Sequence, residues 1–430
     1  MGIVIMKRLP VFFLLFILLF SIPKNAEAQF WKNWFKKKDR EEKYHKPEHK
    51  QPTVVPKPGP LKKKIDLQYP PTKKKSSYRV DVLVPLYIDD LAKSEKKFPD
   101  KSLAGIEFYE GIKLATDTLN SFHYKIEVYV HDISAPATNV EALIRNHTLD
   151  SSDLIIGAVQ SHDVTIIAQY AKKRQVNFIS ALSPSDGGIK DNPYFILPQP
   201  TLQVHCNYLM TYIQKKLPKK KLILFYRTNI PAEQNAYTYI TNNDEPASFK
   251  KVLCNTLPDK IQLKTMFDST QENVVIMTIL DNAYAETMLR QLHDWFPNYH
   301  FEVYGMPSWK TLPGLKKPEA YPNVAVYFTS PFYFDQSRPA TQGIEKTFRR
   351  EYGGKPAELV YRAYETMYWY AYLLNQYGTI FNNKFNDNSA TLFTKYEIQP
   401  KFDKDLNFLY NENQHLYLYK YQSSSFIVEQ

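Results

Sequence analysis

From Tyr78 onward, short apolar runs alternate with longer segments whose apolar residues recur every three or four positions. "YRVDVLVPLYI" (78–88) has the density of a buried strand, and "SLAGIEFYEGIKLATDTLN" (102–120) has the spacing of an amphipathic helix. The alternation continues with strand "KIEVYVHDI" (125–133), helix "NVEALIRNHTL" (139–149), strand "DLIIGAV" (153–159), helix "DVTIIAQYAKKRQ" (163–175) and strand "VNFIS" (176–180). Strands separated by helices return in the same direction, so the pattern predicts an α/β fold whose parallel sheet is covered on both faces.

A second series follows. It runs from helix "LQVHCNYLMTYIQKKL" (202–217) through strand "KLILFYR" (221–227), strand "NVVIMTIL" (273–280), helix "AYAETMLRQLHDWF" (283–296), strand "HFEVYGM" (300–306) and strand "NVAVYFTSPFYF" (323–334). Helices "TQGIEKTFRREYG" (341–353) and "AELVYRAYETMYWYAYLLNQYG" (357–378) lead to strands "LNFLYNEN" (406–413) and "HLYLYKYQ" (415–422). Two such series, over roughly 350 residues, exceed one core and predict two lobes. The tyrosines of the second helix fall at helical spacing and read as core with hydroxyls at the rim.

The first 77 residues break the pattern. Lys7 and Arg8 precede an apolar run from Leu9 to Ile22, and Ala26-Glu27-Ala28 forms an A-x-A site before Gln29, which predicts an export signal (1–28) cleaved after Ala28. No cysteine lies beside that site to carry a lipid anchor, and no later segment has the length of a membrane span. Residues 29–77 carry seven prolines, fifteen Lys/Arg and five Asp/Glu, the composition of an extended, disordered linker. Trp31, Trp34 and Phe35 beside lysines suit either a solvated arm or contact with a membrane surface or an anionic wall polymer.

The net charge of +11 belongs to that linker and the signal. Residues 78–430 hold 37 Lys/Arg against 38 Asp/Glu, so the lobes have no field to gather nucleic acid. Motifs for catalysis are missing: there is no G-x-S-x-G, H-E-x-x-H, Walker loop or G-x-G-x-x-G after a strand, and no metal-spaced cluster of histidines. The sequence therefore predicts a non-enzyme without a cofactor or metal. Cys206 and Cys254 read either as a pair or as two buried thiols.

Between "DLIIGAV" and the following helix stand Gln160, Ser161, His162 and Asp163. Four polar residues where a strand feeds a helix read either as a cap or as the rim of a ligand site, since the free N–H groups of a helix start point outward there.

Several stretches in order resemble the type I periplasmic binding proteins, the leucine/isoleucine/valine-binding branch in particular. They are "VDVLVPL", "EGIKLATDTLN", "VHDISAPATNVEALI", "GAVQSHDVTIIAQYAKKRQVNFISALSPS" and "FRREYGGKPAELVYRAYETMYW". "EVYGMPSWKTL" and "PAELVYRAYE" look similar to a Bacteroidetes envelope subgroup in which this fold sits beside a peptidoglycan-binding LysM module. The resemblance implies Rossmann-like lobes of residues 78–200 plus 331–398 and 201–330 plus 399–430, with hinge crossings near 200, 331 and 399. It also implies a periplasmic location and a cleft that closes on its ligand.

The resemblance further implies which residues line that cleft. Gln160, Ser161 and His162 match the strand-to-helix turn that holds a carboxylate, and Ala181 and Ser183 match a carbonyl and hydroxyl pair. From the second lobe, Tyr226 and Arg227 end one strand, and Asp281 and Asn282 end another. Ser308 and Trp309, with Met306 and Pro307, stand where amino-acid binders place a glutamate. Each has a plainer reading: Asp281 as a cap, Ser183 as a turn, Trp309 as packing. The implied function is a solute-binding receptor taking a small polar, amino-acid-like or other metabolite, with an ABC permease or a sensor as partner. The alternative is a ligand-free envelope adaptor that holds peptidoglycan or a partner protein through the basic tail and the lobes.

Overall fold

The structure is a computed structural model that describes residues 67, 69–92, 98–218, 220–242, 248–317, 320–422 and 425–429. The expected signal, its cleavage site and most of the linker lie outside the described residues. By contact the chain divides into two units. Of the smaller, Leu67 and Asp117–Tyr124 are described; the latter segment finishes a helix, with the Tyr124 N–H donating to Leu119 O at 3.1 Å. The rest is the larger unit, which holds both sheets.

In chain order the first elements are β1 (Tyr78–Val84), α1 (Ile88–Leu91), α2 (Asp100–Ser121), β2 (Ile126–Asp132), α3 (Val140–Arg145), β3 (Leu154–Gly157), α4 (Ser161–Arg174), β4 (Asn177–Ser180) and β5 (Phe195–Leu197). Next come α5 (Leu202–Lys216), β6 (Leu222–Tyr226), α6 (Pro231–Thr241), β7 (Phe249–Leu253), α7 (Lys260–Lys264), β8 (Glu272–Met277), α8 (Asn282–Trp295), β9 (His300–Tyr304) and β10 (Val324–Ser330). The chain ends with α9 (Pro339–Tyr352), α10 (Glu358–Tyr377), β11 (Ile398–Phe402), β12 (Phe408–Asn413), β13 (Tyr417–Gln422) and β14 (Ser425–Glu429).

Two seven-stranded sheets result, one in the order β11-β12-β5-β4-β3-β1-β2 and the other β14-β13-β10-β9-β8-β6-β7. Pairing is parallel except at β11–β12, β10–β13 and β13–β14. The α/β expectation therefore holds, and the helices cover strands that are apolar on both faces. β1 is shorter than its apolar run because Pro85 has no N–H for the ladder, and Tyr87 then turns left-handed at φ 56°. β7, at an edge, carries exposed lysines Lys250 and Lys251, which hid it in the sequence and which guard the edge against pairing.

Two boundaries differ from expectation. β11 and β12 belong to the first sheet, because β12 pairs in parallel with β5 through Asn411↔Ile196 and Glu412↔Leu197. The last passage between the sheets is thus residues 414–416, not residue 399. The first folded residues also precede Tyr78. Thr72 Oγ donates to Tyr377 O at 2.9 Å, Thr379 N donates to Lys73 O at 3.1 Å, and Lys75 Nζ lies 2.6 Å from Asp153. The end of the expected linker is therefore strapped across the first sheet's layer.

Helix α10 is placed by close backbone approach. A Cβ at Gly111 of α2 would collide with Val360 O and the Ala363 side chain, so glycine there lets α10 lie directly on α2. The second sheet's core contains Met306, Trp309, Tyr304 and Leu289, with Trp309 wholly buried. Cys206 and Cys254 are free and buried, and burial pushes both thiols up to about 12.

Candidate functional site

β3 ends at Gly157, and the ladder continues one step further as Ala158 N donates to Leu83 O at 2.8 Å and Ala181 N to Gly157 O at 2.9 Å. The chain then leaves both strands at the same level. Gln160 takes up extended geometry before α4, and its side chain makes no capping bond to the helix. The N–H groups of the first turn thus face outward with the positive end of the helix dipole behind them.

These ends form one open depression of about 520 Å³, lined by Ala158, Val159, Gln160, Ser161, His162, Leu182 and Ser183. Gln160, Ser161 and His162 are exposed, and Ala181 is buried just behind as part of the strand end. Ser183 Oγ accepts the Ser185 N–H at 3.2 Å, so its turn role is real, but it also lines the depression. His162 Nε2 lies 3.6 Å from Glu141 Oε1. Burial, reinforced by the Glu141 charge, raises the Asp163 carboxyl above its ordinary value. The wall is hydroxyl- and N–H-rich with apolar flanks, which suits a small anion such as a carboxylate.

The residues expected from the second sheet do not line this depression. Asp281 caps α8, accepting from Ala283 N at 3.0 Å and Tyr284 N at 3.1 Å. Asn282 Nδ2 donates to Thr311 Oγ at 2.8 Å, while its Oδ1 is buried without a partner. Ser308 Oγ donates to Leu280 O at 2.9 Å. Trp309 is fully buried and donates its Nε1–H to Ile279 O at 2.8 Å, so it packs and offers no ring face for stacking. Tyr226 stacks on Tyr237 at 4.4 Å. Five expected positions thus serve local structure here.

Around Arg227 and Asp281 the second sheet's strand ends hold a cluster whose other members, Glu233 and Tyr284, carry no signal in the sequence. Arg227 Nη2 donates to Glu233 Oε1 at 2.6 Å, and the same oxygen accepts Leu280 N at 2.8 Å and Asp281 N at 3.1 Å. The guanidinium lies 4.4 Å from the Tyr284 ring centroid and 3.6 Å from Asp281 Oδ2. The carboxylate bond to Glu233 holds the Arg227 guanidinium above its usual range. Glu233 sits in α6, whose polar sequence "PAEQNAYTYIT" gave no apolar periodicity; the only signal was Pro231 at its start.

Among the described residues, no group of three His, Cys, Asp or Glu is placed to hold a metal, and no helix is long and apolar enough to cross a membrane.

Two mostly parallel sheets joined by three crossings, with a polar depression at the ends of β3 and β4, define the two-lobed architecture of a type I binding protein. The chain belongs to the periplasmic binding protein family, whose model matches residues 100–392. A search of curated proteins finds no match. Among solved structures, an ABC transporter substrate-binding protein from Desulfitobacterium hafniense in complex with Leu is similar, with TM-score 0.54, 15% identity, and coverage of 82% of this chain and 100% of that one. A branched-chain amino acid ABC transporter periplasmic ligand-binding protein from Burkholderia xenovorans matches with TM-score 0.57, 13% identity, and coverage of 82% and 95%. Haemophilus influenzae LpoA matches with TM-score 0.53 and 14% identity; the match covers 83% of this chain but 59% of LpoA. At these identities the likeness is one of fold.

Proposed function

We propose that the protein is a non-catalytic solute-binding receptor of the periplasm, capturing a small polar metabolite with a carboxylate group. The metabolite would pass to an ABC-type permease or be read by a sensor. The observation that carries this reading is the uncapped start of α4, which shares one depression with Ser161 and Ser183. Backbone N–H groups and two hydroxyls converge there on a space of small-molecule size, the arrangement by which a helix start receives an anion. Calorimetry or thermal shift across amino acids, nucleosides, sugars and wall fragments tests it. A ligand bound by the wild type and lost in Ser161→Val supports the reading; silence across the whole panel overturns it.

A second reading is favoured by the second sheet's strand ends, where Arg227, Glu233, Asp281 and Trp309 already satisfy one another or the backbone. In it the protein is an envelope adaptor, akin to the LysM-linked subgroup, that holds peptidoglycan or a partner through its basic tail. Retention on purified sacculi, compared with and without residues 29–66, separates the two readings.

A further inference from the structure

Lys310 and Glu358 belong to different lobes. Lys310 lies in the short 3-10 turn Pro307–Thr311 after β9, and its neighbour Trp309 is embedded in the second sheet's core. Glu358 opens α10, which rests on α2 beside the first sheet at Gly111. The two meet with Lys310 Nζ 2.6 Å from Glu358 Oε2, and the side chains are only 30% and 38% exposed. Burial pulls the Lys310 ammonium below its ordinary range, with Glu358 opposing.

One turn further along α10, Arg362 engages two of the three passages between the sheets. Its Nη2 donates to Gln199 Oε1 in the passage after β5, and its guanidinium lies 4.0 Å from the ring centroid of Phe332, in the passage after β10. Its Nε is buried with no partner. Glu358 thus pairs with Lys310 at the seam between the lobes, one helical turn from the Arg362 guanidinium that touches two of the passages.

We infer that Glu358, Lys310 and Arg362 form a latch that fixes how far the two lobes stand apart. Glu358 is its centre: among the described residues it is the acid paired with Lys310 across the seam, and it lies one helical turn from Arg362 on the same helix. The latch goes beyond the receptor reading and does not depend on it, because it acts on the passages themselves, with or without a ligand.

The charge count makes the test asymmetric. Glu358→Gln leaves Lys310 and Arg362 as two partly desolvated cations facing one another. Lys310→Met leaves Glu358 free to pair with Arg362. Nitroxide labels at Lys173→Cys on α4 and Lys264→Cys on α7 report the lobe separation, both sites being exposed while the native cysteines are buried. By pulsed electron spin resonance, Glu358→Gln should lengthen the mean separation by several ångströms, and Lys310→Met should lengthen it less. An unchanged distance distribution in Glu358→Gln overturns the latch, as does a larger shift in Lys310→Met. If Glu358→Gln does not fold, Lys310→Met decides alone: a distribution identical to that of the wild type overturns the inference.

Discussion

His205 of α5 lies buried with Nδ1 2.7 Å from Thr329 Oγ of β10, and burial lowers its pKa to about 3. The unfolded chain takes up this proton near pH 6.5, while the folded chain refuses it until about pH 3. The stability it contributes is therefore complete above pH about 6.5 and declines as the pH falls toward 3. Between pH 7 and pH 5 this one group should remove about 2 kcal/mol, at 1.36 kcal/mol per pH unit of differential protonation. Urea denaturation of wild type and His205→Gln at both pH values checks it: the wild type should lose more between them than the variant does. Arg227 and Glu233 make a second case. Glu233→Leu strands a buried guanidinium and should cost about 3–5 kcal/mol, whereas Arg227→Met with Glu233→Leu should recover most of that loss. Neither pair was legible in the chain. His205 and Thr329 stand 124 residues apart in sequence, with nothing local to pair them, and Glu233 sits in a helix too polar to show a buried face. By contrast, Gln160, Ser161 and His162 were legible, because four polar residues between two buried runs have to surface at the strand ends.

At the level of elements, the sequence announced the longer apolar strands, the edge strand β2 among them, and concealed the short or polar ones. β5 has three residues, and β7 and β14 lie at sheet edges, so their patterns are short or interrupted by lysine and serine. The helix starts are where function and stability have to be told apart. Asp281 accepts two N–H groups of α8, as a cap does, while the α4 start has no side-chain bond from its Gln160 cap position. Asp281→Ala should therefore cost about 0.5–2 kcal/mol in thermal or urea unfolding. Once a ligand is found, its affinity should stay within a few-fold of the wild type. A loss of affinity beyond tenfold with unchanged stability would return Asp281 to the binding site. Gly111 tests the packing of α10 independently. Gly111→Val drives a branched side chain into Val360 O and should destabilise the protein by at least about 2–3 kcal/mol, read as a fall in denaturation midpoint.

The whole molecule starts earlier than its first strand, and this bears on what the basic tail does. Thr72 bonds Tyr377 O and accepts Ile380 N at 3.1 Å, while Lys73 pairs with Thr379 through both its backbone groups. A Cβ at Gly378 would run into Lys73 O, so the left-handed turn at φ 86° is shaped to admit this strap. The strap was not legible because "PPTKKKSS" is all turn and charge; its partners are the loop after α10, some 300 residues away in sequence. Its bonds are partly exposed, so at roughly 0.5 kcal/mol each they contribute about 2 kcal/mol in sum. A chain beginning at Tyr78 should therefore melt several degrees below one beginning at Leu67, while both keep the same circular dichroism spectrum. The charge follows the same boundary. The excess of Lys/Arg over Asp/Glu falls almost wholly before Tyr78, and the lobes balance to −1. Binding to an anionic wall polymer should accordingly weaken with salt in the full chain, because exposed charges are screened within about 10 Å at 0.1 M. It should vanish when residues 29–66 are removed, with the strap and the melting temperature left intact. Retention by the shortened chain equal to that of the full chain would place any wall contact on the lobes instead.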